Sequence, residues 1–186
     1  MRFTGYAGDC VIEAVIDLPQ GTRLTDRLNE SSTVALRDVR LHALEDGHFV
    51  EVGDLELDIH DLCAVDATTQ GGPGEQHIAT RSAPVEVEAG PYSIAGQLHG
   101  PASSDPVLSI GRRSRMIPLT DATLSFDFAG QAMKLERSVV IFNRDLAVSV
   151  RRVPYKRTKL DEFGFANVDP RATDLTRDLS LGLEDI

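Results

Sequence analysis

The sequence repeats itself, and that repetition constrains the fold more than any other feature. Residues 32–41 laid over 115–124 share Leu-x-Asp-x-x-Leu, as Leu36, Asp38 and Leu41 over Leu119, Asp121 and Leu124. A β-branched residue, Val34 or Ile117, precedes both. Upstream, Ile12, Ala14, Ile16 and Pro19 fall over Ile94, Gly96, Leu98 and Pro101, and Leu28-Asn29 falls over Ile110-Gly111. Downstream, Leu57-Asp58-Ile59-His60 falls over Val140-Ile141-Phe142-Asn143, and Asp61-Leu62 meets Asp145-Leu146 after a one-residue shift. Self-similarity at a fixed spacing makes each copy one unit of structure. Copy one is expected over 9–66, a linker over 67–84, copy two over 85–153 and a tail over 154–186. The linker is marked by Gly71-Gly72-Pro73-Gly74.

Within each copy the apolar spacing is two, the period of a half-buried strand. Leu55, Leu57 and Ile59 alternate with Glu56, Asp58 and His60. Leu124, Phe126 and Phe128 alternate with Thr123, Ser125 and Asp127, and Val85 and Val87 with Glu86 and Glu88. Pro19-Gln20-Gly21, Glu45-Asp46-Gly47, Gly100-Pro101 and Ala129-Gly130 punctuate the runs. Only 25–30 offers a helical turn, with Thr25 as its cap. A unit of ~60 residues buries only about 60% of its unfolded surface, and open sheet edges invite aggregation. An all-β chain is therefore expected: two tandem, structurally similar small β-barrels with a short, partly helical or extended C-terminal tail. Tryptophan is absent and aromatics are 5%, so the core must rest on Val, Leu, Ile and Ala.

Each copy resembles an Sm-like small β-barrel, in its turn after an apolar-Asp run and its final apolar strand, near 57–65 and 139–150. The run Ile117-Pro118-Leu119-Thr120-Asp121-Ala122 also resembles a strand of short bacterial small-barrel domains. The resemblance implies a barrel fold. The RNA-binding residues of Sm proteins have no counterpart here, and copy one is too acidic for that role. Arg23-Leu24-Thr25-Asp26-Arg27 is similar to the first half of the cyclic-dinucleotide motif of PilZ barrels. The second half is missing, with Asp38-Val39-Arg40-Leu41 in its place.

Motifs that carry chemistry are lacking. The five histidines, His42, His48, His60, His77 and His99, have no HxxxH or CxxC framework around them, so no metal or cofactor is expected. Cys10 and Cys63 lie in apolar runs and read as buried free thiols. No Gly-x-Ser-x-Gly elbow occurs, and the glycine-rich linker lacks the Gly-Lys-Ser/Thr of a phosphate loop. No catalytic residue is assigned, and the chain is expected not to be an enzyme.

Charge is the best functional clue. Residues 1–66 hold 5 basic and 14 acidic side chains, 85–157 hold 10 and 7, and 158–186 hold 3 and 7. Opposite signs on similar units favour docking of one on the other, within a chain or head-to-tail between chains. The net charge of -10 argues against nucleic acid as a partner. No apolar run is long enough for a membrane span, and the start lacks a secretory pattern, so a cytoplasmic location is expected. Leu175, Leu179, Leu181 and Leu183 in the tail are candidate contacts to a protein partner. Arg112, Arg113, Arg115, Arg151 and Arg152 are candidate anion-binding residues for the alternative, a ligand- or nucleotide-sensing regulator. The first reading is a non-catalytic adaptor or assembly module.

Overall fold

The period-two runs become strands. The computed structural model describes residues 1–67 and 80–154. The order is β1 (Arg2–Ala7), β2 (Cys10–Ile16), α1 (Leu24–Glu30), β3 (Thr33–Ala43), β4 (Phe49–Asp58), β5 (Leu62–Asp66), β6 (Thr80–Ala89), β7 (Tyr92–Pro101), β8 (Met116–Phe128), β9 (Gln131–Asn143) and β10 (Ala147–Arg152). Single 3-10 turns span Ile59–Asp61, Ile110–Arg112 and Arg144–Leu146. The expected tail and most of the expected linker lie outside the described residues; residues 80–84, also placed in the linker, open β6.

All the strands join one antiparallel sheet, in the order β10-β6-β7-β8-β9-β5-β1-β2-β3-β4. The expectation was two tandem small β-barrels; the ten strands instead form a single sheet. The order is one five-strand pattern read twice, β5-β1-β2-β3-β4 and β10-β6-β7-β8-β9, and β5 and β9 pair where the two meet. Ala64, Val65 and Asp66 stand opposite Phe142, Ile141 and Val140. Each half thus satisfies one sheet edge with the other half instead of closing on itself. Met1–Pro154 forms one compact unit.

Local geometry also recurs. Asp38 and Asp121 both take left-handed backbone, with φ of 52° and 49°. Each sits where β3 or β8 slips register against its neighbour, near Glu13/Val15 and Ala95/Gln97 respectively. Asp tolerates this conformation better than most residues. Asp58 and Asn143 each accept the amide two residues on, from His60 and Asp145, and so cap matching 3-10 turns. These caps correct the downstream alignment: Asp58 corresponds to Asn143 and Leu57 to Phe142, two residues later than the sequence match. The cause is the β8–β9 hairpin, in which Leu124 faces Leu135, whereas Leu41 already faces Val50.

Helix α1 begins at Leu24, with Arg23 before it and no side-chain cap, so Thr25 does not cap it. Leu24 and Leu28, four apart, are buried and anchor its inner face. Asn29 donates to the Met116 carbonyl and accepts the Met116 amide, both at 2.9 Å, which ties α1 to the far half.

There are two cores, and they exchange residues. One gathers Phe3, Ile12, Leu36, Leu57 and Val65 with Met116 and Ile141 from the second half. The other gathers Val87, Ile94, Leu119 and Phe142 with Tyr6, Cys63 and Ala64 from the first. Successive side chains on a strand point to opposite faces. Ala64 and Val65, or Ile141 and Phe142, therefore feed different cores on opposite faces of the central strands. This explains why Leu62-Cys63-Ala64-Val65 is buried without alternation. Tyr6 meets Tyr92 and Phe126 edge-on, and Tyr92 and Phe126 pack tilted, at 5.4–5.8 Å between centroids. The Tyr92 hydroxyl donates to the Ala7 carbonyl at 2.7 Å across the halves.

Because β5 and β9 serve both cores, the two halves should unfold together. Phe142→Ala is expected to cost about 3–5 kcal/mol in urea titration while tryptic and circular-dichroism transitions stay coincident. A second, separate transition would contradict the shared-core account.

Candidate functional site

Among the described residues, the sheet ends at two open edges, β4 and β10. A strand edge presents unpaired amides and carbonyls and is a template for a further strand. Proteins blunt such edges with charge, and this chain does so only in part. Among the described residues, seven large apolar side chains are exposed, and five of them lie on or beside the edges: Phe49, Val50 and Val52 on β4, and Leu146 and Val148 at β10. Val148 is 83% exposed. The sequence reading passed over these residues, although Phe49-Val50-x-Val52 directly after the Asp46-Gly47 turn was a visible apolar run.

Between β4 and β5 opens a groove of about 750 Å³ with a mostly apolar lining, including Leu55, Leu57, Cys63, Leu146 and Val148. It lies between one sheet edge and the start of the strand that forms the other. The two thiols in it are free, with Cys63 buried and Cys10 half-buried. Burial, reinforced by hydrogen bonding to Asp9, pushes the Cys10 thiol up to about 11, and burial raises Cys63 as well. Neither has the depressed pKa of a nucleophile.

Two smaller hollows flank the left-handed aspartates. One, of about 630 Å³, is lined by Arg2, Glu13, Asp38, Arg40 and Glu51 among others, and Arg40 pairs with Glu51 at 2.8 Å. The other, of about 380 Å³, holds Asp121, Glu136 and Arg137, and Arg137 reaches Asp66 at 2.5 Å. In both, charge meets opposite charge.

The histidines are dispersed. His42 packs on Phe49, and its Nε2 lies 3.3 Å from Glu13 without hydrogen-bonding geometry. The His99 ring contacts the Thr120 hydroxyl at 2.7 Å. The His48 and His60 amides donate to Asp46 and Asp58, whereas His77 lies outside the described residues. Among the described residues, no three His, Cys, Asp or Glu side chains gather into a metal-binding group.

The five candidate anion-binding arginines have the following surroundings. Arg112 is exposed on the Ile110–Arg112 turn, and Arg113 is partly buried beside Ser109. Arg115 pairs with Asp145 at 3.3 Å. Arg151 binds Glu86 at 3.1 Å, and Arg152 holds both oxygens of Asp105 at 2.7 and 2.8 Å. The tail leucines, Leu175, Leu179, Leu181 and Leu183, lie outside the described residues.

With this geometry in view, comparison with known proteins gives no family: no family model, curated protein or solved structure matches the chain. No helix among the described residues is long and apolar enough to cross a membrane.

Hydrogen bonds from Arg152 and the Val107 amide hold the Asp105 carboxyl below its ordinary value of 3.8. A depressed folded-state pKa stabilises the protein above the unfolded pKa, and that contribution is lost as pH falls through the folded value. In a carboxyl-detected NMR titration, Arg152→Gln should move the Asp105 midpoint upward toward 3.8. An unmoved midpoint would show that Arg152 is not its partner.

Proposed function

We propose that the chain is a non-catalytic interaction and assembly module that engages a protein partner through its two open strand edges. The observation that carries this reading is the concentration of exposed apolar side chains at β4 and β10. Main-chain groups on an open edge supply hydrogen bonds to an added strand, and alternate side chains supply selectivity. The paired charges in both hollows and the raised thiols favour binding over catalysis.

The repeated strand order, the left-handed Asp38 and Asp121, and the matched caps Asp58 and Asn143 support descent of the two halves from one small-barrel ancestor of Sm-like type. Fusion through β5 and β9 is the form that duplication takes here. The cytoplasm is the compartment this reading assigns, and the tail leucines are its second candidate contact. A ligand- or nucleotide-sensing role has less support, because Arg115, Arg151 and Arg152 already bind carboxylates.

Val52 and Val148 are exposed, so changing them to Lys should leave stability within about 0.5 kcal/mol. Tagged wild-type chain should be cross-linked to protein partners in its native extract, and Val52→Lys with Val148→Lys should remove most of the cross-linked product. Equal cross-linking by wild type and variant would defeat the edge-binding reading.

A further inference from the structure

We infer that the partner at these edges is a second copy of this chain, joined head to tail so that β10 of one molecule pairs antiparallel with β4 of the next. This rests on the edge-binding reading and specifies the occupant. The interface needed already exists once inside the molecule. In the repeated pattern, β9 occupies the place of β4 and β5 the place of β10. The β5–β9 ladder is thus a bond between the fifth strand of one half and the fourth strand of the other, and each chain is left with one unused strand of each kind.

The register follows from the matched caps. Counting from Asp58 and Asn143, Val65 corresponds to Val150, Ala67 to Arg152, Ile141 to Glu56 and Val139 to Asp54. The internal Val65–Ile141 pair becomes Val150 opposite Glu56. The internal bond from the Ala67 amide to the Val139 carbonyl, 3.1 Å, becomes Arg152 to Asp54.

The backbone is oriented for this pairing. The Val153 amide donates to Pro84 on β6, so by alternation Ser149 and Arg151 face β6, and Val150 and Arg152 face outward. On the other edge, the Ile59 amide donates to Ser32 beside β3, so Leu55 and Leu57 face β3, and Asp54, Glu56 and Asp58 face outward. The residues that the register pairs are those whose amides and carbonyls point away from the sheet and meet no other described strand.

Charge agrees. The β4 edge carries Glu51, Asp54, Glu56 and Asp58, while β10 ends in Arg151 and Arg152. The register sets Arg152, which already holds Asp105 of its own chain, opposite the exposed Asp54, so the acidic edge meets a basic strand end, and opposite charges across a strand pair are favourable. Two β4 edges would instead bring carboxylates together, so like edges repel. Contact of unlike edges is heterologous and propagates to a ring or a filament.

The test is light scattering with size exclusion on the purified full-length chain at about 100 μM, the upper micromolar range in which a modest interface is populated. Wild type should run as a multiple of the chain mass. Proline removes an outward amide without touching the inner ladder. Val150→Pro and Glu56→Pro should each run as monomer with unchanged circular dichroism, and their 1:1 mixture should form a dimer, since one good edge of each kind remains. Asp54→Arg, which keeps every amide, should also fall to monomer and covers the case in which a proline variant unfolds. A monomeric wild type, or an oligomer that survives Glu56→Pro or Asp54→Arg, overturns the inference. Edge-dependent cross-linking to a different protein by a monomeric chain would leave the interaction-module reading standing alone.

Discussion

The antiparallel contact between β5 and β9 is the interaction on which the rest of the structure depends. Three facing pairs join ten strands into one sheet, and the same strands bury a face in each core. Without it, Val65 and Ile141 would lose their partners on one side, and Ala64 and Phe142 would lose theirs on the other. The Arg137–Asp66 pair, Asn29 on Met116 and Tyr92 on Ala7 reinforce the junction from three directions. Asn143 adds a fourth link: fully buried, it donates to the Ile59 carbonyl at 3.2 Å. A buried polar side chain is tolerable only because its hydrogen bonds are made.

A unit that satisfies its edges by pairing with a sibling cannot also be self-contained. Two five-strand units have four edge positions, and fusion satisfies two. The remaining two, β4 and β10, have no partner strand among the described residues, and they carry exposed apolar side chains beside the charges that should protect them. In the proposed function, these two edges are where a partner binds.

Charge asymmetry takes a structural form at these edges. The acidic excess of the first half includes Glu51, Asp54, Glu56 and Asp58 along β4, and the basic excess of the second includes Arg151 and Arg152 at the end of β10. The same arginines were candidates for an anion site when considered as a cluster in sequence. In space they face Glu86, Glu88 and Asp105 instead, because β10 lies against β6 and close to the loop after β7.

Strand character was legible in the residues themselves: alternation at 55–59, 85–88 and 123–128 fixed which side chains face inward, since pleating enforces a period of two. The Leu-x-Asp-x-x-Leu repeat was legible as a repeat; that its Asp38 and Asp121 sit left-handed at bulges of β3 and β8 was visible only in the structure. Barrel closure, the cap of α1 and the downstream register were not legible. Closure depends on which edge finds which partner, and the apolar run at 62–65 reads the same whether one sheet or two bury it. The hairpin difference that shifts Leu57 onto Phe142 arises because β8 and β9 pair out to Phe128 and Gln131, whereas β3 and β4 pair only to His42 and Phe49, and strand-arm length is set by pairing across the hairpin. Local periodicity determined the strands; pairing between residues far apart in the chain decided that they form one open sheet with two edges to fill.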